Sequence, residues 1–453
     1  MLNSTFRRGT APVCSGCRSL FSGVPRRGGS ETSTDDGVGW SENGSCTSAR
    51  DAIVTSTNNT ARAAQELINS SSHRNGRVNL VKSDFYHQQK IALMSEKKST
   101  RLTARQLMYA TKPSETKYLL SSAAFLHKEL PIRIAHMVNR FQSLPYLVGL
   151  NPHVSSVHQL YVVSFRALTA VQPIVTESEE VAYSKLLRVL LDNHEDVVTT
   201  LAHGFRECRE ILPMKVVKQF LDSFVTSRLG IRMLAEHHLA LRKNMDGHVG
   251  VISTDLSPRD IILSCGKYAQ RQCDTRYGRS PKVNIVGDTT CTFPYFAMPL
   301  KYILDEILKN AMRATVDRHR RSKELPAVTA TICSNDSDFT IRISDLGGGI
   351  AAESVQLIQE YMFTTSEDVS KSAQCDDDDG GSGFGMSALG DFVNSAQQSS
   401  AGPMSGFGFG LPTACAFAKY LGGFIGVQSM YGRGTDIYVH LKHFQSPHHT
   451  IYF

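Results

Sequence analysis

The feature that most restricts the fold of this chain is a change of hydrophobic period near residue 247. Before it, apolar residues recur at helical spacing. Val216, Phe220 and Phe224 stand at i, i+4 and i+8. Leu186, Leu187, Leu190 and Leu191, followed by Val197, Val198, Leu201 and Phe205, make a second stripe. Leu126, Leu130, Ile134, Val138 and Phe141 make a third, interrupted by Pro131. Wide stripes on several long helices predict a helix bundle over 84–246. After 247 the period falls to two. Phe339, Ile341 and Ile343 alternate with polar residues, as do Ile437, Val439 and Leu441, and Val249-Gly-Val-Ile252 and Val283-Asn-Ile-Val286 are short β-branched runs. Helical stretches at 298–320 and 410–421 lie between them. The expected class is therefore α+β: a helix-bundle domain followed by an α/β sandwich at 247–445, whose mixed sheet has helices on one face.

The flanks read differently. Residues 1–30 carry Arg7, Arg8, Arg18, Arg26 and Arg27 and no acid, with a few apolar points, which predicts a mitochondrial targeting segment. Those five arginines account for most of the net charge of +7, so the basic balance does not argue for nucleic acid as a partner. Residues 31–83 are polar and Gly-rich and predict a disordered linker. Residues 366–405, rich in Ser, Gly and Asp, predict a mobile lid, in which the acids at 376–379 are a solvated run. Residues 446–453 form a short tail. No run of about 18 apolar residues occurs, so no membrane span is expected. The ten cysteines are scattered except for Cys14 and Cys17, and no second pair completes a zinc site.

Three segments carry chemistry. In Glu306-Ile-Leu-Lys-Asn310-Ala-Met-Arg313, a carboxylate and a carboxamide stand one helical turn apart, a hard-oxygen pair suited to Mg²⁺. Taken alone, the same pattern is an ordinary amphipathic helix. In Asp345-Leu-Gly347-Gly-Gly349, a carboxylate at a strand end can accept from an adenine amino group, and glycines let the backbone approach a ligand. Taken alone, this is a turn. Gly406-Phe-Gly408-Phe-Gly410-Leu411 opens a helix whose exposed N–H groups can bind phosphate, although no Walker A lysine follows.

In this order the three segments resemble the Bergerat-type (GHKL) ATP-binding fold, helped by Phe363-Thr364-Thr365 and by Thr435 in Gly432-Arg-Gly434-Thr435. Within that group, Leu126-His-Lys-Glu-Leu-Pro131-Ile-Arg133, Ser227-Arg-Leu-Gly-Ile-Arg232 and Glu236-His-His238-Leu resemble the mitochondrial 2-oxoacid dehydrogenase kinases over about residues 100–445. The resemblance is nearer the branched-chain than the pyruvate type in His237-His-Leu-Ala-Leu241, Gly402-Pro-Met404 and Tyr420-Leu-Gly-Gly423, and no tryptophan stands where pyruvate-type tails carry an Asp-Trp pair.

The resemblance implies an ATP-dependent protein-serine kinase of the mitochondrial matrix. It would act on the E1α subunit of the branched-chain complex, with pyruvate dehydrogenase as the alternative. It would dock on the lipoyl domain of the E2 core and form a homodimer. It implies that Asn310 holds Mg²⁺ and that Asp345 reads adenine. Thr364, Thr365, Gly408 and Leu411 would line the nucleotide, with Arg313 and Thr435 near it. Glu306 would be the general base, tuned by His238, or by His237 if the register slips by one. A K⁺ ion would sit on main-chain oxygens near Ile358, Glu360, Phe363 and Gly408; Ile358 and Glu360 replace the usual Val and Asp, and Ser405 replaces a usual His. A helical histidine without that resemblance is more often a satisfied core residue. A reading of another class is a nucleotide-sensing scaffold on the E2 core.

Overall fold

The computed structural model describes residues 80–109, 116–243, 245–364 and 408–444. The targeting segment, most of the linker, the lid, Thr365, Gly406 and the tail lie outside the described residues.

The helical part begins with α1 (Leu80–Ser95), four residues inside the stretch expected to be linker. It continues through α2 (Thr116–Gln142), α3 (Pro152–Ala170), α4 (Glu177–Asn193), α5 (Val197–Glu207) and α6 (Met214–Lys243). Local signals set several ends. Asn151 accepts from the backbone N–H groups of His153 and Val154, and Pro152 takes the first helical position. Thr176 and Glu179 form a reciprocal capping box at the start of α4. The leucine and valine stripe that reads as continuous is split between α4 and α5 by a turn at 194–196. Pro131 does not break α2. It forgoes one backbone bond, but Leu126, Leu130 and Ile134 around it are buried, and that packing outweighs the loss.

The sheet part opens with a small antiparallel sheet of β1 (His248–Val249), β2 (Ile252–Leu256) and β4 (Phe293–Phe296). The main sheet has the order β3-β5-β6-β8-β7, from β3 (Val283–Gly287), β5 (Val328–Ser334), β6 (Asp338–Asp345), β7 (Phe424–Met430) and β8 (Gly434–Lys442). The β3–β5 pair is parallel and the others are antiparallel, giving the mixed sheet expected. Phe339, Ile341 and Ile343 point into the core as the period of two requires. Three helices pack on this sheet: α7 (Pro258–Tyr277), α8 (Ala297–Arg318) and α9 (Gly410–Tyr420). Helix α9 also packs against α6, joining the sheet part to the helical part.

Candidate active site

Helix α8 places the first functional group. Leu304, Ile307, Leu308 and Ala311 are buried, which turns Glu306 and Asn310 toward a cleft of about 460 Å³. Asn310 is exposed there, and no hydrogen bond from its carboxamide to another described residue is present. Glu306 is 7% exposed. Its Oε1 is ion-paired to Lys309 Nζ, and its Oε2 lies against Gly410, where a Cβ would collide with it. Residue 410 must therefore lack a side chain for the helix start and the carboxylate to coexist.

Strand β6 ends at Asp345, opposite Thr435 in the β6–β8 register. Asp345 Oδ1 accepts from the Gly347 N–H at 2.8 Å. Burial pushes this carboxyl up to about 6, against the pull of the Gly347 and Thr435 N–H groups. Gly347 has Ala314 Cβ 2.5 Å from where its own Cβ would be, and Gly349 has φ +70 with the Met430 carbonyl in the same position. The D-x-G-x-G run is thus a close approach of backbone to α8 and β7 as well as a turn.

The third group is the start of α9. Among the described residues no side chain caps it. Thr413 N–H bonds to the Phe409 carbonyl and Pro412 has no N–H, so Gly410 and Leu411 keep the exposed first-turn donors. These N–H groups and the helix dipole make an anion site. Gly408, at φ +76, has the Phe363 carbonyl 2.5 Å from its absent Cβ, and its own carbonyl accepts from Met362 N–H at 3.1 Å.

The cleft therefore gathers Glu306, Asn310 and Arg313 from α8, and Asp345, Gly347, Gly349 and Thr435 from the strand ends. Ile358, Phe363, Thr364, Gly408, Gly410 and Leu411 complete it. Thr365 and Gly406 lie outside the described residues. Glu360 is not among the lining residues; its carboxylate stands 3.4 Å from Lys218 Nζ.

His238 is elsewhere, which corrects its expected role beside Glu306. It is fully buried between α2, α4 and α6, with Nε2 3.2 Å from Glu180 Oε1 and 3.1 Å from Ser184 Oγ, and Nδ1 3.1 Å from Ser122 Oγ. Burial pushes the Glu180 carboxyl up, but hydrogen bonds from His238 and Ser184 and the charges of His238 and Arg242 outweigh it and hold it low. His237, the alternative, packs on Gly250, and burial drives its imidazole down to about 4. Both histidines are buried, His238 within the helical part and His237 against the 250–251 turn, and neither lines the cleft.

Two contributions were not anticipated. Lys309 sits one residue before Asn310, where a lysine on a polar face is usually solvated. Val198, Thr199 and Ala202 of α5 also line the cleft, although Val198 reads only as core in the sequence. No periodicity in the sequence could bring α5 to α8.

A cleft with these donor types at these places fits a nucleotide triphosphate: a carboxylate for a base amino group, open N–H groups for phosphate, and a carboxamide oxygen for Mg²⁺. The family comparisons agree. Residues 297–445 match the family model described as histidine kinase-, DNA gyrase B- and HSP90-like ATPase. Sheet topology, cleft and match together define a GHKL-type ATP-binding protein. Residues 101–253 match the family model described as mitochondrial branched-chain alpha-ketoacid dehydrogenase kinase. The mitochondrial pyruvate dehydrogenase (acetyl-transferring) kinase of Arabidopsis thaliana is 34% identical over 352 residues, covering 76% of this chain and 91% of the relative. The corresponding kinase of Schizosaccharomyces pombe is 28% identical, covering 78% and 96%. Human mitochondrial pyruvate dehydrogenase kinase isozyme 3 is 29% identical, covering 71% and 78%. The chain belongs to the family of mitochondrial dehydrogenase-complex kinases, and it is an ATP-dependent mitochondrial protein kinase. The branched-chain subtype expected from the sequence has the description of the family model over 101–253 behind it, but not the names of these relatives.

Proposed function

We propose that this kinase transfers a phosphoryl group from ATP to a serine of the E1α subunit of a mitochondrial 2-oxoacid dehydrogenase complex, with pyruvate dehydrogenase as the favoured target. The names of the relatives support that choice. The observation that carries the chemistry is the placement of Glu306 and Asn310 at the start of α9. Lys309 pairs with Glu306 through Oε1, which leaves Oε2 to accept the serine hydroxyl proton. Asn310 offers its oxygen to Mg²⁺, and Gly410 and Leu411 offer N–H groups to phosphate. Asp345 accepts from the adenine amino group. Bound Mg-ATP supplies the phosphoryl group, and the protein supplies position and charge stabilisation. K⁺ on main-chain oxygens near Phe363 and Gly408, docking on an E2 lipoyl domain and homodimerisation belong to the same proposal.

A second reading keeps the enzyme and changes the target to the branched-chain E1α. The description of the family model over 101–253 favours it. Labelled ATP with purified pyruvate and branched-chain E1, side by side, decides between them. Preferential label on pyruvate E1 is expected. Preferential label on the branched-chain E1 establishes the second reading, and label on neither leaves a nucleotide-sensing scaffold.

A further inference from the structure

A second cavity, of about 150 Å³, opens where α2 and α6 meet the end of α9. Arg133, His136 and Arg140 stand at i, i+3 and i+7 on one face of α2 and line it, facing Ser227 of α6 and Tyr420, the last residue of α9. Tyr420 approaches the helix opposite closely: a Cβ at Gly230 would meet its Oη at 2.6 Å.

The charges in this cavity are not balanced. Arg133 has a carboxylate, donating from Nε to Glu129 Oε1 at 2.8 Å, and also donates from Nη2 to the Thr100 carbonyl at 2.7 Å. His136 Nε2 lies 2.9 Å from the Lys97 carbonyl. Arg140 has no ion pair among the described residues. Its Nη1 donates to Ser227 Oγ at 2.5 Å and to the Ser223 carbonyl at 3.3 Å, while Nε and Nη2 have no described partner. Its guanidinium is half-buried, and burial lowers its pKa. A partly desolvated cation without a counter-charge is costly, and an anion in the cavity removes that cost. Ser227 accepts from Arg140 through its oxygen, so its own proton is available to a ligand. Ser99, also on the wall, adds a second hydroxyl.

We propose that this cavity is a regulatory site for a phosphate-type oxyanion, either inorganic phosphate or the phosphate of a small ester, held by Arg140 with Arg133, Ser227 and Ser99. Planar guanidinium donors and hydroxyls are the groups that recognise such an anion. Its position gives it a consequence. Tyr420 closes one end of α9, and Gly410 and Leu411 at the other end line the nucleotide cleft. An anion bridging α2, α6 and the end of α9 ties that helix to the helical part. Linkage then requires that phosphate and nucleotide change each other's affinity by the same factor.

The test is calorimetric titration of the full-length protein with inorganic phosphate at constant ionic strength, with chloride as the control anion. Methyl phosphate is titrated in parallel. Phosphate binding is expected, with at least about a tenfold loss of affinity in Arg140→Gln, as removal of one charge-assisted pair implies. Ser227→Ala, a milder change that keeps the arginine, is expected to weaken binding in the same direction. Asn310→Ala, which alters the nucleotide cleft, is expected to leave it unchanged. Methyl phosphate binding as well as phosphate identifies an ester as the ligand, and binding of phosphate alone identifies the free ion. Wild-type affinity for phosphate in both folded Arg140→Gln and Ser227→Ala, loss of binding in Asn310→Ala, or no phosphate binding by the wild type overturns the proposal.

Discussion

At the scale of single residues, three side chains separate chemistry from support. Glu306→Gln keeps shape but removes the proton acceptor. It is expected to retain Mg-ATP affinity and to lose turnover by about 10²–10⁴, toward the lower end because loose phosphoryl-transfer transition states need little early deprotonation. Single-turnover phosphorylation of E1 measures it, and near-normal turnover would remove Glu306 from the base role. Asn310→Ala is expected to abolish Mg-ATP binding without a change in melting temperature of the apo protein, because the side chain is exposed in the cleft and supports nothing around it. His238→Ala should behave in the opposite way. The histidine is fully buried among Glu180, Ser184 and Ser122, so its loss leaves a void and unpaired polar groups, a cost of about 2–4 kcal/mol. A lowered unfolding midpoint with kcat per folded molecule unchanged is the expected result; a kcat defect in fully folded enzyme would restore a catalytic role.

At the scale of elements, α6 holds the segment that leads into the cleft. Lys218 Nζ donates to the Gln359 carbonyl at 2.8 Å and stands 3.4 Å from Glu360, and Asp222, one turn on, accepts from Tyr361 Oη at 2.9 Å. The Tyr361 ring packs on Phe409, at the start of α9. Met362 follows in a left-handed conformation, φ 65, which costs a non-glycine residue on the order of 1 kcal/mol or more and persists only where neighbours enforce it. The two α6 side chains are such neighbours. Tyr361→Phe removes one hydrogen bond and leaves Asp222 without that partner. It should cost about 1–2 kcal/mol of stability and raise the KM for ATP more than it lowers kcat. Steady-state kinetics with a denaturation curve checks both, and an unchanged KM would mean that the helical part does not grip the cleft through this contact.

For the whole molecule, two buried carboxyls set part of the pH dependence. Asp345 and Asp305 are both raised by burial to about 6. Asp305 is 3% exposed, and the Cys265 thiol and the charges of Lys301 and Lys309 only partly offset its burial. A carboxyl whose folded pKa lies above its unfolded value binds a proton more tightly when folded. Its stabilising contribution is therefore full below about pH 4 and lost as pH rises through about 6, leaving a net cost on the order of 2–3 kcal/mol at neutral pH. Asp305→Asn removes the ionisation and should stabilise the protein more at pH 8 than at pH 5. Denaturant unfolding at the two pH values tests it, and an equal effect at both would show that folded Asp305 is already ionised at pH 5 and is not raised by burial. Asp345 is part of the nucleotide cleft, so its ionisation also predicts nucleotide affinity that falls as pH drops below about 6, a dependence that Asp345→Asn should flatten.

The amino-acid sequence by itself determined the class of fold and most of the cleft. The change from a helical period to a period of two separates the helices from the sheet. The E-x-x-x-N helix, the D-x-G-x-G strand end and the G-x-G helix start are local signals, because each depends on spacing within one element and on glycines that only a close approach requires. What only the tertiary structure decided depends on contacts between distant segments. His238 and Glu306 both read as polar residues on helices, and the packing of α6 against α4 sends the first to Glu180 rather than to the cleft. Lys309 becomes a counter-ion only because Glu306 is buried beside it. The α5 wall of the cleft, the hold of Lys218 and Asp222 on 359–361, and the basic cavity at Arg140 join residues tens to hundreds of positions apart. No periodicity encodes such pairings: they follow from which apolar faces bury one another, and the polar groups are carried into register by that packing.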